Sequence, residues 1–189
     1  MSTTKRYQRG FTMIETIIVV AIIAVITAGA VVGTSAVLPG YRADQAMTQV
    51  ASQLRAARER AISHRHMVQV SFTGTNTIVF TDILVKGVAP PPAQVQFEGG
   101  GAFATVPGLP DTPMGFGNSG AIYFEGISGG PPQMYFTSTG AFVDGGNNVV
   151  NGTVFLSVQG RVDSARAVTV MGATGRIRPY HYDGTQWQE

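Results

Sequence analysis

The feature that most constrains this chain lies near its start. From Ile17 to Leu38 no residue is charged, and most are Ile, Val or Ala. As a helix, residues 17–38 reach about 33 Å at ~1.5 Å per residue, enough to cross a bilayer core of ~30 Å. Lys5, Arg6 and Arg9 precede the run, and a basic flank holds that end in the cytoplasm. A secretory signal peptide has a shorter apolar stretch followed by a small-residue cleavage site; this run is too long. A simple anchor fits the length but gives no reason for Glu15 near its start. A carboxylate deep in hydrocarbon costs about 2.5–3.5 kcal/mol, so it belongs where something pairs with it.

The residues around Glu15 supply a partner. Cleavage after Gly10 would leave Phe11 with a free α-amino group four residues before Glu15. The N-terminus of an adjacent subunit could then neutralise Glu15 inside a bundle of such helices. Gly10-Phe11-Thr12-Met13-Ile14-Glu15, with basic residues before it and the apolar run after it, resembles the class III signal of type IV prepilins. The resemblance implies that a prepilin peptidase cuts between Gly10 and Phe11 and N-methylates Phe11. It also implies that Glu15 registers the subunit during filament assembly. These residues are substrate features of the protein, not catalytic ones.

Charge follows the same division. The formal net charge is +2, but without the three leader cations ten basic residues face eleven acidic ones. The positive excess therefore belongs to the leader and says nothing of nucleic-acid affinity in the rest.

Beyond Leu38, Pro39-Gly40 is expected to kink or end the helix. The helical period resumes over 42–63 with an apolar stripe at Ala46/Met47, Val50/Ala51, Leu54, Ala57 and Ala61/Ile62. Arg55, Arg58, Glu59 and Arg60 fall around it and read as a solvated face. His64, Arg65 and His66 close the helix, where cations suit its dipole. The remainder, rich in the chain's 24 Gly and 10 Pro, reads as short strands between turns. The segments are 67–73, 77–85, 94–98, 121–125, 133–137, 153–158, 166–171 and 176–182, with a long loop over Gly99–Gly120. The expected fold is therefore α+β: leader 1–10, membrane-spanning helix 11–38, amphipathic continuation 39–66 and β-rich head 67–189.

No chemistry of catalysis is legible. The chain has no cysteine, and His64, His66 and His181 lack companion ligands, so no metal or cofactor is expected. Asp144 beside Gly145 reads as a turn rather than a calcium loop, for want of alternating oxygen ligands. Asn151-Gly152-Thr153 is a glycosylation sequon by pattern only. No phosphate loop, carboxylate pair or nucleophile–His–acid set is present, and no enzyme is expected.

The head carries a second resemblance. The helix Leu54–Ser63 leading into a strand is similar to the GspH/FimT family of minor pilins and pseudopilins. So are Met134–Gly140 followed by a strand, and Ala165–Met171 followed by Thr174–Arg178. This implies a long N-terminal helix on antiparallel sheets, in a minor subunit that initiates or caps a pilus or type II secretion filament. Such a subunit would sit in the bacterial inner membrane with its head in the periplasm, its partners being the prepilin peptidase and other pilins. Some competence-type members contact DNA through a Gly-Arg-x-Arg tail, here Gly175-Arg176-Ile177-Arg178. The chain departs from many members in lacking cysteines and in running on from Tyr180 to Glu189.

Three readings follow: a structural minor subunit, a DNA-binding uptake pilin, and a membrane-anchored module that never polymerises. In an extended strand Arg176 and Arg178 share a face, with Ile177 turned inward. Side by side they could contact phosphates, with Tyr180, Tyr182 and Trp187 as a stacking surface. Alternatively they are ordinary exposed residues, paired with Asp163 or Asp183.

Overall fold

The computed structural model describes residues 11–84, 87, 90–127, 133–158 and 160–189, and for residues 31–36 the backbone alone. The leader, Gly10 included, and Val85 at the end of one expected strand lie outside the described residues. The chain divides between Leu38 and Pro39 into two compact units.

Helix α1 runs from Met13 to His64 with Pro39 inside it. Of the two expectations at Pro39-Gly40, an end to the helix is thus corrected. Proline costs one backbone hydrogen bond but holds a φ that suits a helix, and α1 continues through it. In the N-terminal unit the window Met13–Ala30 has a mean hydropathy of 2.4 and none of it is buried. Its large side chains, such as Ile17 and Val25, lie bare.

In the second unit the rest of α1 buries one stripe. Ala43, Ala46, Val50, Ala51, Leu54, Ala57 and Ala61 are all covered, close to the expected set. Small residues dominate the stripe, so backbone can approach backbone. A Cβ added to Gly101 would meet the Ala46 methyl at 2.7 Å.

Two antiparallel sheets supply the opposing surfaces. The first has the order β3-β2-β1-β6-β7, built from Ala93–Gln96, Thr77–Ile83, Met67–Thr73, Gln133–Phe136 and Phe142–Val143. The second has the order β11-β10-β9-β8-β4, from Trp187–Gln188, Arg176–Tyr182, Arg166–Met171, Gly152–Val158 and Gly101–Phe103. Strand β5, Ile122–Phe124, pairs with β8 outside that path. In β1 and β2 burial alternates with period two, because one face meets the core and the other faces solvent. One apolar core joins the helix stripe to both sheets, through Val68, Val70 and Phe136 on one and Val154, Val168 and Ile177 on the other.

Strand β8 is buried on both faces because the second sheet has a core on its far side too. There Val106, Phe155, Ala165, Ala167, Tyr180 and Trp187 pack together. Part of this cover comes from the expected long loop over 99–120, which also contains β4. Its Phe103 pairs with Leu156 and is buried. Gly99 and Gly101 lie close against Arg42 and Ala46 of α1, and the stretch beyond β4 is the loop expected.

Candidate functional site

The N-terminal site is built on the first turn of α1. The Thr12 hydroxyl accepts a hydrogen bond from the Glu15 N–H at 3.3 Å, so Thr12 caps the helix and Glu15 stands three residues in. Ser/Thr-x-x-Glu is the spacing of a capping box, a signal present in the sequence but not used in reading it. It gives Glu15 a local reason to exist, since an acid in the first turn complements the helix dipole. It does not supply a counter-charge: from Phe11 to Tyr41 the sequence contains no Lys or Arg. Phe11 is 77% exposed. An amine created there would lie just outside the cap.

The second candidate site lies where the head's motifs meet. In β10, Arg176 is exposed, Ile177 is buried and Arg178 is half-buried, the alternation expected of a strand. The two arginines have different surroundings. Arg178 Nη1 lies 3.2 Å from the Glu189 carboxylate. A hydrogen bond with the Tyr180 hydroxyl, then the Glu189 charge, raises its pKa above the ordinary arginine value. The guanidinium of Arg176 has no such partner among the described residues. Neither Asp163 nor Asp183 pairs with these arginines. Asp163 holds Arg161, and Asp183 closes the β10–β11 turn by accepting from the N–H groups of Thr185 and Gln186 at 2.8 Å.

The expected stacking surface is corrected. Tyr180 is 3% exposed and Trp187 7%. The Trp187 indole N–H donates to the Pro110 carbonyl at 2.9 Å, and Tyr182 packs against the same cluster. Tyr180 and Trp187 are spent on the second core and are not open to bases, while Tyr182 is half-buried against it.

On the expected solvated face of α1, Arg55 and Glu59 are exposed, but Arg58 and Arg60 are half-buried and engaged. Arg60 forms an ion pair with buried Asp82, and His66 Nε2 lies 3.3 Å from the same carboxylate. Arg55 Nη2 donates to the Ile177 carbonyl at 3.4 Å, and Arg58 Nε to the Gly140 carbonyl at 3.1 Å. Arg58 is therefore the joint between the β6–β7 and β9–β10 turns. At Gly175, φ is +60° and an added Cβ would lie 2.0 Å from the Gly140 oxygen and 2.7 Å from Arg58 Nε. Only glycine fits there, for both reasons. The resemblance marks both turns, and the structure adds their shared partner on the helix.

Two further residues serve the fold. The Asp144 carboxylate accepts from the N–H groups of Gly146 and Asn148 and from the Asn148 amide, which lowers its pKa, the Asn148 amide contributing most. It is the turn expected. Asn151 donates to Glu125 at 2.9 Å and accepts from the Gly172 N–H at 2.8 Å, and Thr153 is buried, so the sequon is a strand junction. Among the described residues no group of three or more His, Cys, Asp or Glu side chains is placed to hold a metal ion.

Comparison with known proteins finds a match at the N-terminus. Residues 5–31 match the prokaryotic N-terminal methylation motif. Among solved structures the chain is similar to the type IV minor pilin FimU of Pseudomonas aeruginosa. The identity is 14% and the TM-score 0.48, over 77% of this chain and 92% of that one. It is also similar to the minor pseudopilin EpsH from the Type 2 Secretion System of Vibrio cholerae. There the identity is 15% and the TM-score 0.45, over 73% and 95%. No curated protein matches the chain.

Proposed function

We propose that this protein is a minor subunit of a type IV filament, a pilus or the pseudopilus of a type II secretion machine, acting in assembly or initiation. The observation that carries the reading is the N-terminal methylation motif over residues 5–31, followed by an apolar helix that buries none of its surface within the chain. Such a helix lies in a bilayer until neighbours replace the lipid. The precursor sits in the bacterial inner membrane with its head in the periplasm. A prepilin peptidase cuts between Gly10 and Phe11 and methylates the new amine. Glu15 has no cation beside it in its own helix, so the Phe11 amine of an adjacent subunit neutralises it as the filament forms. For a lone subunit the carboxylate is a cost that the helix dipole offsets only in part, and assembly supplies the counter-charge.

Co-expression with a prepilin peptidase followed by intact-mass analysis tests the processing. The expected product starts at Phe11 and carries one methyl group; a mature N-terminus elsewhere refutes it. Glu15→Ala should insert normally but be depleted from sheared filaments, and equal incorporation would remove Glu15 as the registering charge. A DNA-uptake role for the same subunit would have to rest mainly on Arg176, since Arg178 is engaged by Glu189.

A further inference from the structure

Three arginines that form no ion pair among the described residues line one cleft in the head. Arg55 and Arg58 of α1 and Arg176 of β10 line one open cleft of about 780 Å³, with Glu59, Thr174 and Ile177 in its walls. Elsewhere Arg60, Arg161, Arg166 and Arg178 each pair with a carboxylate. Among the described residues the three in the cleft do not, and Glu59 forms no ion pair with any of them. Arg55 and Arg58 each give one hydrogen bond to a backbone carbonyl, of Ile177 and Gly140 respectively. A guanidinium has five N–H donors in a planar fork, so most remain for a ligand. The two backbone bonds also restrain the side chains beforehand, which reduces the ordering cost of binding.

We propose that this cleft binds the carboxylate side chains of an acidic segment on a partner protein. Fork-shaped donors match carboxylates and phosphates alike, and the surroundings decide between them. Glu59 lines the cleft, and a phosphate chain with a charge on every unit would run against it, whereas spaced carboxylates can avoid it. Arg178, which would continue a phosphate track along β10, is occupied by Glu189. Of the rings that would stack bases, Tyr180 and Trp187 are buried, and Tyr182 packs against them. A volume near 780 Å³ suits a few side chains, within the range of about 300–1,000 Å³ usual for binding clefts. The proposal does not depend on whether the protein polymerises.

The test uses the full chain in detergent micelles and a fluorescein-labelled peptide whose glutamates are spaced by glycine and serine, read by anisotropy at low salt. Saturable binding is expected, weakened at least tenfold by the double substitution Arg55→Gln and Arg176→Gln, and unchanged by Arg161→Gln. Glu59→Gln should tighten it. Both substituted arginines are exposed and bridge no carboxylate, and an unchanged Trp187 emission would show that the head is intact. Arg176→Gln alone, which breaks no side-chain hydrogen bond among the described residues, should still weaken binding measurably. The proposal is overturned by absence of saturable binding, by an equal loss in Arg161→Gln, or by tighter binding of a 20-nucleotide single strand that the same double substitution abolishes.

Discussion

Gly175→Ala should destabilise the head far more than the same change at a glycine of nearly identical backbone geometry. The comparison is Gly74 in the β1–β2 turn, where φ is +63° and an added Cβ meets nothing within 4 Å, against +60° at Gly175. At Gly74 the only cost is a left-handed alanine, roughly 1–2 kcal/mol. At Gly175 the new methyl would sit 2.0 Å from a backbone oxygen of Gly140 and 2.9 Å from Arg58 Cδ. Forcing the turns apart adds an overpacking cost of about 1–3 kcal/mol. Losing the Arg58–Gly140 bond, charge-assisted and 3.1 Å long, adds about 1.5–3 kcal/mol. Added together, the penalty is about 3.5–8 kcal/mol. Urea unfolding of residues 39–189, followed by the single tryptophan, measures both variants. Equal losses at the two positions would refute the argument that contact at Arg58, rather than backbone conformation, makes Gly175 necessary.

Three further outcomes follow from the packing and electrostatics. Leu54→Ala removes a fully buried side chain at the centre of the helix stripe and should lower unfolding free energy by about 2–5 kcal/mol, while Ser52→Ala on the exposed side should change it little. Asp82→Asn leaves Arg60 without its carboxylate, but Arg60 is 38% exposed and can rehydrate, so a loss of about 1–3 kcal/mol is expected in the same assay. The Asp183 pKa is lowered to about 2, chiefly by the Gln186 and Thr185 N–H groups. A depressed folded pKa stabilises the turn above the ordinary value near 3.8 and loses that contribution as pH falls toward 2. Trp187, four residues on, should show a red shift across that window; in Asp183→Ala the emission should be shifted already at pH 7, without the acid step.

What the sequence alone determined is what depends on neighbours along the chain. Transfer of Ile17–Leu38 out of water is additive over its residues, so the apolar helix, and the misfit of Glu15 within it, are legible without a fold. The stripe from Ala46 to Ala61 and the eight strand segments follow from period, and β9 and β10 fall on the expected residues 166–171 and 176–182. Strands of two or three residues, such as β7 and β11, are too short for any period to show. What only the tertiary structure decided are pairings across long separations. Arg58 reaches a carbonyl 82 residues away, and Arg166 reaches Asp44 at 2.5 Å across 122. Exposure was likewise undecidable at Tyr180 and Trp187: alternation along β10 assigns a side to Tyr180, but whether that side meets solvent depends on residues 106–114 folding over it. The same holds for the arginines. Their number and spacing are in the sequence, but which of them find a carboxylate, and which three are left facing one cleft, is settled by how the helix lies against β10.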